Sequence, residues 1–288
     1  MANGSVVNYI SRSELLDRFI EQLIVICNYS AGESSDILSK RQITIYIDLQ
    51  QDFKEFCFAR SEFIRHGKFF LISYSKNYSD AILLIDPEIF TLNQQVLIDI
   101  ALSIIGSIKY VMLVATGIWS PAHCALVEIN GKGALICAPG GTGKSTCASR
   151  LPTPHRTLAE DCALIMKSDD GFIAQSMPTW SSVISEYVKN ENIRFDCTVF
   201  VPLAGVFFLE QSSIDAVKQL NSPTTLGYIN STFNDHMRWF LHNLNSENAK
   251  MLRMNIFNLA EQLTATLPAY RLSATLNGNF WDMMEDVM

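Results

Sequence analysis

Long apolar runs are missing from this sequence. No stretch approaches the roughly 20 uncharged apolar residues that a membrane-spanning helix requires. The N-terminus, Met-Ala-Asn-Gly-Ser, also lacks the basic segment and the apolar core of a secretory signal peptide. These two absences predict a protein that resides in the cytoplasm and has no membrane partner.

Paired cysteines are missing as well. The seven cysteines are an odd number, and no two of them stand in a C-x-x-C arrangement. We therefore expect buried thiols in a reducing compartment rather than a disulfide framework or a zinc site. The histidines predict no metal site either, because four of them have no partner at metal-ligand spacing: His66, His155, His236 and His242.

The chain is poor in charge, and its excess charge is negative. Charged residues make up 18% of the 288 residues and hydrophobic residues 48%, with a net charge of −7. This composition is typical of a globular protein that is long enough for one sizeable core and an appended subdomain. An acidic chain is a poor general binder of nucleic acid, so no nucleic-acid partner is expected.

Residues 1–107 predict a small, mostly-β subdomain that begins with a helix over 11–29. Alternating apolar residues indicate a half-buried strand over 43–49. Further short strands are predicted over 55–60, 68–74 and 81–85. Their regular spacing favours an antiparallel meander, which a buried helix over 93–106 would follow.

A second domain, residues 108–288, is predicted to combine strands and helices. Asn130-Gly131 between two apolar runs is a strong hairpin signal, joining predicted strands over 124–129 and 134–138. The second of these strands is therefore expected to pair antiparallel with the first. Strands are also predicted over 156–166, 172–175, 203–210 and 270–276, and helices over 231–244 and 246–265.

A glycine-rich segment follows the second hairpin strand: Gly140-Gly141-Thr142-Gly143-Lys144-Ser145-Thr146. Glycines let consecutive backbone N–H groups face one concavity, because no Cβ blocks the approach of phosphate oxygens. The N-terminus of the next helix adds a partial positive charge. The segment predicts a phosphate-binding P-loop in which Lys144 reaches the β- and γ-phosphates and Ser145 binds Mg²⁺. An ordinary glycine turn is the alternative.

Two adjacent carboxylates, Glu160 and Asp161, lie inside the predicted strand over 156–166. Buried carboxylates are costly unless they hold a metal or a proton in transit. Because adjacent strand residues point to opposite faces, both reach one site only where the strand ends or bulges. One carboxylate would then bind Mg²⁺ while the other faces an acceptor; the alternative is a solvated pair at a strand end. A lone histidine such as His123 is, on pattern alone, more often structural.

The run from His123 to Ile165 resembles the catalytic core of HPr kinase/phosphorylase and its relatives, which share a nucleotide-binding fold with ATP-type phosphoenolpyruvate carboxykinase. The matching parts are His123, the Asn130-Gly131 hairpin, the loop over 140–145 and Ala159-Glu160-Asp161. Three outer stretches, 178–180, 202–211 and 267–281, look most like kinase-related proteins of peptide-modification (RiPP) gene cassettes, some of which phosphorylate serine on a precursor peptide.

The resemblance implies a fold and a set of roles. The fold, α+β or α/β, would be an HPr kinase-like P-loop core with an antiparallel-paired feeding strand beside the small mostly-β N-terminal subdomain. Lys144 and the loop over 140–146 would hold the phosphates of ATP. Ser145 and Asp161 would coordinate Mg²⁺, Glu160 would be the general base, and His123 would lie near the transferred phosphate.

Three positions depart from the family pattern. Ala138 replaces the first loop glycine, Glu160 replaces an aspartate, and Thr146 stands where the bifunctional enzymes have glutamate. A second family signature, associated with phosphorolysis, finds no match in this chain. Phosphorylase activity is therefore not expected.

The sequence thus predicts an ATP-dependent kinase that transfers the γ-phosphoryl group to a serine or threonine hydroxyl of a peptide or small protein. A RiPP precursor peptide is the acceptor that the resemblance favours. A kinase for a small hydroxyl metabolite and a non-catalytic, nucleotide-dependent peptide-binding scaffold stay open as alternatives. The family resemblance also suggests assembly into homo-oligomers.

Overall fold

The computed structural model describes residues 6–11, 42–49, 62–66, 70–75, 80–93, 111–177 and 197–288, together with isolated positions at 14, 16–17, 20–21, 78 and 96–97. The chain divides into two compact units. The first comprises Met1–Thr116, Trp180–Thr198 and Trp239–Leu252, and the second comprises Gly117–Thr179, Val199–Arg238 and Arg253–Met288. The sequence-based division into 1–107 and 108–288 stays a prediction.

The first unit contains a five-stranded sheet in the order β1-β2-β5-β4-β3. Its strands are β1 (Val6–Ser11), β2 (Gln42–Leu49), β3 (Glu62–His66), β4 (Phe70–Tyr74) and β5 (Asp80–Ile85). All five residues of β4 are buried, and a 3₁₀ turn over Pro87–Thr91 follows β5.

The predicted antiparallel meander is correct for only part of this sheet. β3, β4 and β5 pair antiparallel in succession. β1 pairs parallel with β2, and β2 pairs parallel with β5, so the prediction is wrong for those two pairs. Alternating polarity indicates a strand but not the direction of its neighbour, which explains the error. The predicted strand over 55–60 and most of the predicted helices over 11–29 and 93–106 lie outside the described residues.

The second unit is built on an eight-stranded sheet in the order β10-β9-β6-β7-β11-β13-β12, with β8 paired to β6. Its strands are β6 (Trp119–Ile129), β7 (Lys132–Cys137), β8 (Arg156–Ala159), β9 (Cys162–Ser168), β10 (Gly171–Ser176), β11 (Phe200–Gln211), β12 (Ala216–Gln219) and β13 (Ala269–Ala274). The numbered helices are α1 (Lys144–Ser149), α2 (Ser222–Asn243), α3 (Ser246–Thr266) and α4 (Phe280–Glu285), of which the end of α2 and the start of α3 belong to the first unit. Strands and helices combine into a mixed α+β fold, as predicted at that level.

The β6–β7 hairpin confirms the prediction made from Asn130-Gly131. Both turn residues have positive φ, 51° and 78°, which is the backbone that a two-residue hairpin turn requires. β7 therefore pairs antiparallel with β6. On its other side β7 pairs parallel with β11, so the strand that leads into the glycine-rich segment has one neighbour of each direction.

The predicted single strand over 156–166 is interrupted. β8 ends at Ala159 and β9 begins at Cys162, so Glu160 and Asp161 lie in a bend rather than inside a strand. Both flanking strands pair antiparallel with β6, β8 near its end and β9 near its start. The bend is thus an irregularity along one continuous edge of β6, and it frees both carboxylates from strict alternation.

One core cluster of the second unit lies on one face of the sheet. It is formed by alternate apolar residues of β6, β7, β11 and β13 together with α1 and α4, and includes Ile136, Cys147, Phe207, Leu272 and Phe280. On β11, Phe207 and Leu209 point into this core, so Phe208 and Glu210 point to the opposite face. The predicted start of α2 at 231 is late, because Ser222 already opens the helix with Pro223 in its first turn. Among the described residues, no helix is both long and apolar enough to span a bilayer.

Candidate functional site

A glycine-rich loop over 138–143 joins β7 to α1. Gly141 and Gly143 have φ of 78° and 108°, a backbone region that side chains other than glycine strongly disfavour. A Cβ placed on Gly140, Gly141 or Gly143 would meet no heavy atom within 4 Å. The backbone of the loop therefore borders open space and can approach a ligand closely. This observation fits the phosphate groups that the sequence predicts for the loop.

Lys144 follows this loop as the first residue of α1 and is only 5% exposed. Its Nζ donates hydrogen bonds to the backbone oxygens of Ala138 at 2.7 Å and Pro139 at 3.3 Å. It also lies 2.9 Å from Nε2 of His123 on β6. The ammonium group is thus held between the start of the loop and the neighbouring strand.

His123 connects this lysine to the bend between β8 and β9. Its Nδ1 lies 3.5 Å from Oδ1 of Asp161. The bend itself is anchored to β6, because the backbone N–H of Cys124 donates to the backbone oxygen of Asp161 at 3.1 Å. A continuous Lys144–His123–Asp161 chain of polar contacts results, drawn from α1, β6 and the bend.

Burial changes the pKa values of Lys144 and His123. Burial lowers the pKa of the Lys144 ammonium, while the Asp161 carboxylate opposes the shift. Burial and the positive charge of Lys144 lower the pKa of His123, against the attraction of Asp161 and Asp235. At neutral pH the imidazole is therefore uncharged. Its Nε2 can accept from Lys144 while Nδ1–H is directed toward Asp161.

The remaining predicted site residues occupy the edges of this arrangement. Ser145 and Thr146 are exposed in the first turn of α1, and Thr142 is half-buried in the loop, where its backbone oxygen accepts from Gln211 Nε2 at 3.2 Å. Glu160 is half-buried in the bend. Of the two adjacent acids, Asp161 is the one whose carboxylate lies at ion-pair distance from His123.

Two residues of α2 belong to the same neighbourhood and were missed by sequence reasoning. His236 Nε2 lies 3.4 Å from Cys162 Sγ, directly beside the bend. Burial lowers the pKa of His236 to about 4, with His123 adding to the shift and Asp161 opposing it. The negative charge of Asp235 acts to raise the pKa of His123. No local pattern signals either residue, since α2 lies far from 123–161 in the sequence.

A pocket of about 360 Å³ adjoins His123 and lies between α2, the ends of β7 and β11, and Arg271 of β13. We call it the α2 pocket. Its wall includes the first loop residues and both polar and aromatic side chains: His123, Cys137, Ala138, Pro139, Phe208, Leu209, Glu210, Tyr228, Ser231, Thr232, Asp235 and Arg271. Its volume falls at the lower end of the range found for small-ligand sites.

Comparisons with known proteins add to this geometry. A family model described as "SynChlorMet cassette protein ScmC" matches residues 91–288, more than half of the chain. A protein named HPr kinase/phosphorylase from Geobacillus sp. (strain WCH70) is 40% identical over 57 residues. That match covers 19% of this chain and 18% of the Geobacillus protein, so the chain spans less than a fifth of the length of this curated relative. The link to that protein is partial and distant.

Proposed function

This chain belongs to the ScmC family of SynChlorMet cassette proteins, and from that membership together with its loop geometry we propose that it is an ATP-dependent kinase. The partial similarity to an HPr kinase/phosphorylase supports kinase-like chemistry. The proposed reaction transfers the γ-phosphoryl group of ATP to a serine or threonine hydroxyl of a peptide or small protein. Because the family is a cassette family, a precursor peptide from the same cassette is the proposed acceptor.

One observation carries the proposal: a lysine at the end of an open glycine loop contacts a histidine that in turn contacts an acid. Lys144 and His123 are 2.9 Å apart, and His123 and Asp161 are 3.5 Å apart. An ordinary glycine turn does not require a nearly buried lysine that contacts backbone oxygens and an imidazole. Phosphoryl transfer is catalysed mainly by positioning and charge stabilisation, which such a cluster supplies.

The loop residues account for the binding of ATP in this proposal. Backbone N–H groups over 140–143 face the phosphates, and Lys144 exchanges its backbone acceptors for phosphate oxygens. Ser145 and Asp161 would hold Mg²⁺, since a hydroxyl and a carboxylate are oxygen donors of the kind this ion prefers. When bound there, Mg²⁺ neutralises phosphate charge. The proposed core is accordingly a P-loop of HPr kinase type.

Glu160 is the proposed general base. Its position in the bend lets it lie beside Asp161 without the strict opposition of strand neighbours. It would accept the proton of the attacking hydroxyl as the new oxygen–phosphorus bond forms and the bond between the γ-phosphorus and the leaving ADP breaks. His123 would orient Lys144 and stay uncharged while doing so.

The test is phosphorylation of serine-containing peptides, including any short peptide encoded in the same cassette, with purified protein, Mg²⁺ and ATP. Intact-mass spectrometry would show a gain of one phosphate, about 80 Da, on the acceptor. The same incubation with Lys144→Ala should give no gain. ATP binding without any phosphorylated peptide, by calorimetry and mass spectrometry together, would count against the kinase proposal.

A further inference from the structure

The α2 pocket is the feature of this unit whose role the loop does not explain. Its lining includes His123 and the first loop residues, Ala138 and Pro139, but none of 140–146. The open glycines therefore lie outside the pocket, while the groups that hold the Lys144 ammonium form one of its walls. A ligand in the loop and a second ligand in the pocket would meet at Lys144 and His123.

We propose that the α2 pocket binds the acceptor segment of the peptide, with the hydroxyl-bearing residue at the His123 end and a neighbouring aromatic or large aliphatic side chain against Phe208 and Tyr228. The proposal rests on the proposed kinase function and specifies its substrate class. In that reaction the attacking and leaving oxygens lie roughly in line across the transferred group. An acceptor must therefore approach from a site that adjoins the phosphate loop without lying in it.

The purine of ATP is a poor candidate for the same pocket. The proposed role of Lys144 is contact with the β- and γ-phosphates. The purine is separated from the γ-phosphoryl group by the ribose and two further phosphates. A pocket whose inner wall holds the Lys144 ammonium adjoins the transferred phosphoryl group, not the distant base.

The two ends of the pocket differ in accessibility. At the inner end, where β7 meets the loop, Cys137 is 2% exposed. At the outer end, Tyr228 is 43% exposed, and the side chains of Arg271 and Glu210 are 45% and 48% exposed. A cleft that is closed at one end and open at the other fits a side chain presented by a longer chain, whereas a free metabolite is usually enclosed on most sides.

The chemistry of the open end suits an apolar neighbour of the acceptor residue. The rings of Phe208 and Tyr228 lie 4.9 Å apart at 58°, an arrangement that leaves an aromatic surface at the rim. Around it, Glu210 accepts from Ser273 Oγ at 2.7 Å and pairs with Arg271 at 3.6 Å. An aromatic centre with a polar rim is the composition of a peptide-recognition surface.

Tyr228 provides the most selective test because it lies outside the Lys144–His123–Asp161 chain. The experiment presents a serine-centred peptide library, degenerate at both flanking positions, to the full-length wild type with Mg²⁺ and ATP. Wild type should favour aromatic and large aliphatic flanking residues. Tyr228→Ala should raise the acceptor KM about tenfold and flatten that preference, with kcat and the KM for ATP within about twofold of wild type.

Two further variants control for general damage. Tyr228→Phe keeps the ring and should retain the flanking preference of the wild type. Phe257→Ala removes a similarly exposed aromatic side chain from α3, which does not line the pocket, and should leave all three constants unchanged. Thermal unfolding of each variant shows whether the fold is intact.

The outcomes separate this inference from the kinase proposal. If wild type phosphorylates peptides but Tyr228→Ala leaves the acceptor KM and the preference unchanged, the pocket assignment is wrong and the kinase proposal stands. A rise in the KM for ATP instead would make the pocket the nucleotide base site. Phosphorylation of free serine but of no peptide would overturn the peptide class. If no acceptor is phosphorylated, fluorescence anisotropy of the labelled library decides, because peptide binding that is independent of Tyr228 excludes the pocket.

Discussion

Lys144 Nζ and His123 Nε2 lie 2.9 Å apart although 21 positions separate the two residues in the sequence. The contact exists because the β6–β7 hairpin brings the middle of β6 alongside the end of β7, from which the loop returns to α1. The same lysine also bonds two backbone oxygens of the loop. A ligand that takes this ammonium group must compete with three existing partners, so the loop and β6 together tune the affinity of the site.

Lys144→Ala removes the cation that is proposed to contact the phosphates, and we expect transfer to be lost and the Kd for ATP to rise at least about tenfold. Isothermal titration calorimetry and a phosphopeptide assay measure the two effects. Lys167→Ala is the matched control, because Lys167 is exposed on β9 and bonds Gln262 at 2.7 Å. If Lys144→Ala bound ATP with unchanged affinity, the loop would not be the nucleotide-binding site.

Substitutions of Glu160 and Asp161 are expected to affect different steps, phosphoryl transfer and the Mg²⁺-dependent binding of ATP. Glu160→Gln should leave the affinity for ATP near the wild-type value and reduce the rate of transfer by about 10²-fold or more. Glutamine has nearly the same shape as glutamate but cannot accept the proton of the hydroxyl. Asp161→Asn should weaken ATP binding only when Mg²⁺ is present, and it also weakens the contact with His123. Calorimetry with and without Mg²⁺, beside the transfer assay, distinguishes the two. Turnover like wild type in Glu160→Gln would exclude Glu160 as the base.

Local signals made part of this site predictable. The Asn130-Gly131 turn fixed the antiparallel partner of β7, since two consecutive residues with positive φ admit few other geometries. Gly141 and Gly143 were predictable for the same reason: glycine is needed where the backbone has positive φ and borders open space. In both cases the determinant is the chemistry of a few adjacent residues.

Long-range relationships were not predictable from the sequence. The bend at Glu160-Asp161 depends on how β8 and β9 share one edge of β6. The apolar pattern over 156–166 predicts one uninterrupted strand instead. Asp235, His236 and the α2 pocket depend on where α2 packs, which nothing in residues 123–161 indicates. The parallel pairs of the first sheet depend on connections rather than on strand composition.

The half-buried His236 of α2 predicts that the stability of the protein depends on pH. The pKa of His236 is about 4 in the folded chain, below its ordinary value of 6.5. Between these values the unfolded chain binds more protons than the folded one. The free energy of unfolding therefore falls as the pH decreases from about 6.5 to about 4, by up to about 1.4 kcal/mol per pH unit.

Urea unfolding at about pH 7.5 and about pH 5 measures this effect. His236→Gln removes the titrating group and can still bond the Cys162 thiol, so it should shrink the difference between the two conditions. His242→Gln, at an exposed position of the same helix, should leave the difference as in wild type. An equal difference in all three proteins would show that His236 is not the responsible group.

Replacing either of two glycines of the second unit by alanine is expected to change stability in opposite directions. Gly133 lies in β7, where a Cβ would stand 2.6 Å from Val201 Cγ1 and 3.3 Å from the backbone oxygen of Pro202. A branched side chain and a backbone cannot easily retreat, so Gly133→Ala should destabilise the unit by about 1–3 kcal/mol. In Gly227→Ala, on the exposed side of α2, the new Cβ meets nothing within 4 Å. That variant should gain up to about 1 kcal/mol, since alanine is the better helix former. Chemical unfolding of both variants tests the β7–β11 packing on which the loop depends, and equal stabilities would contradict it.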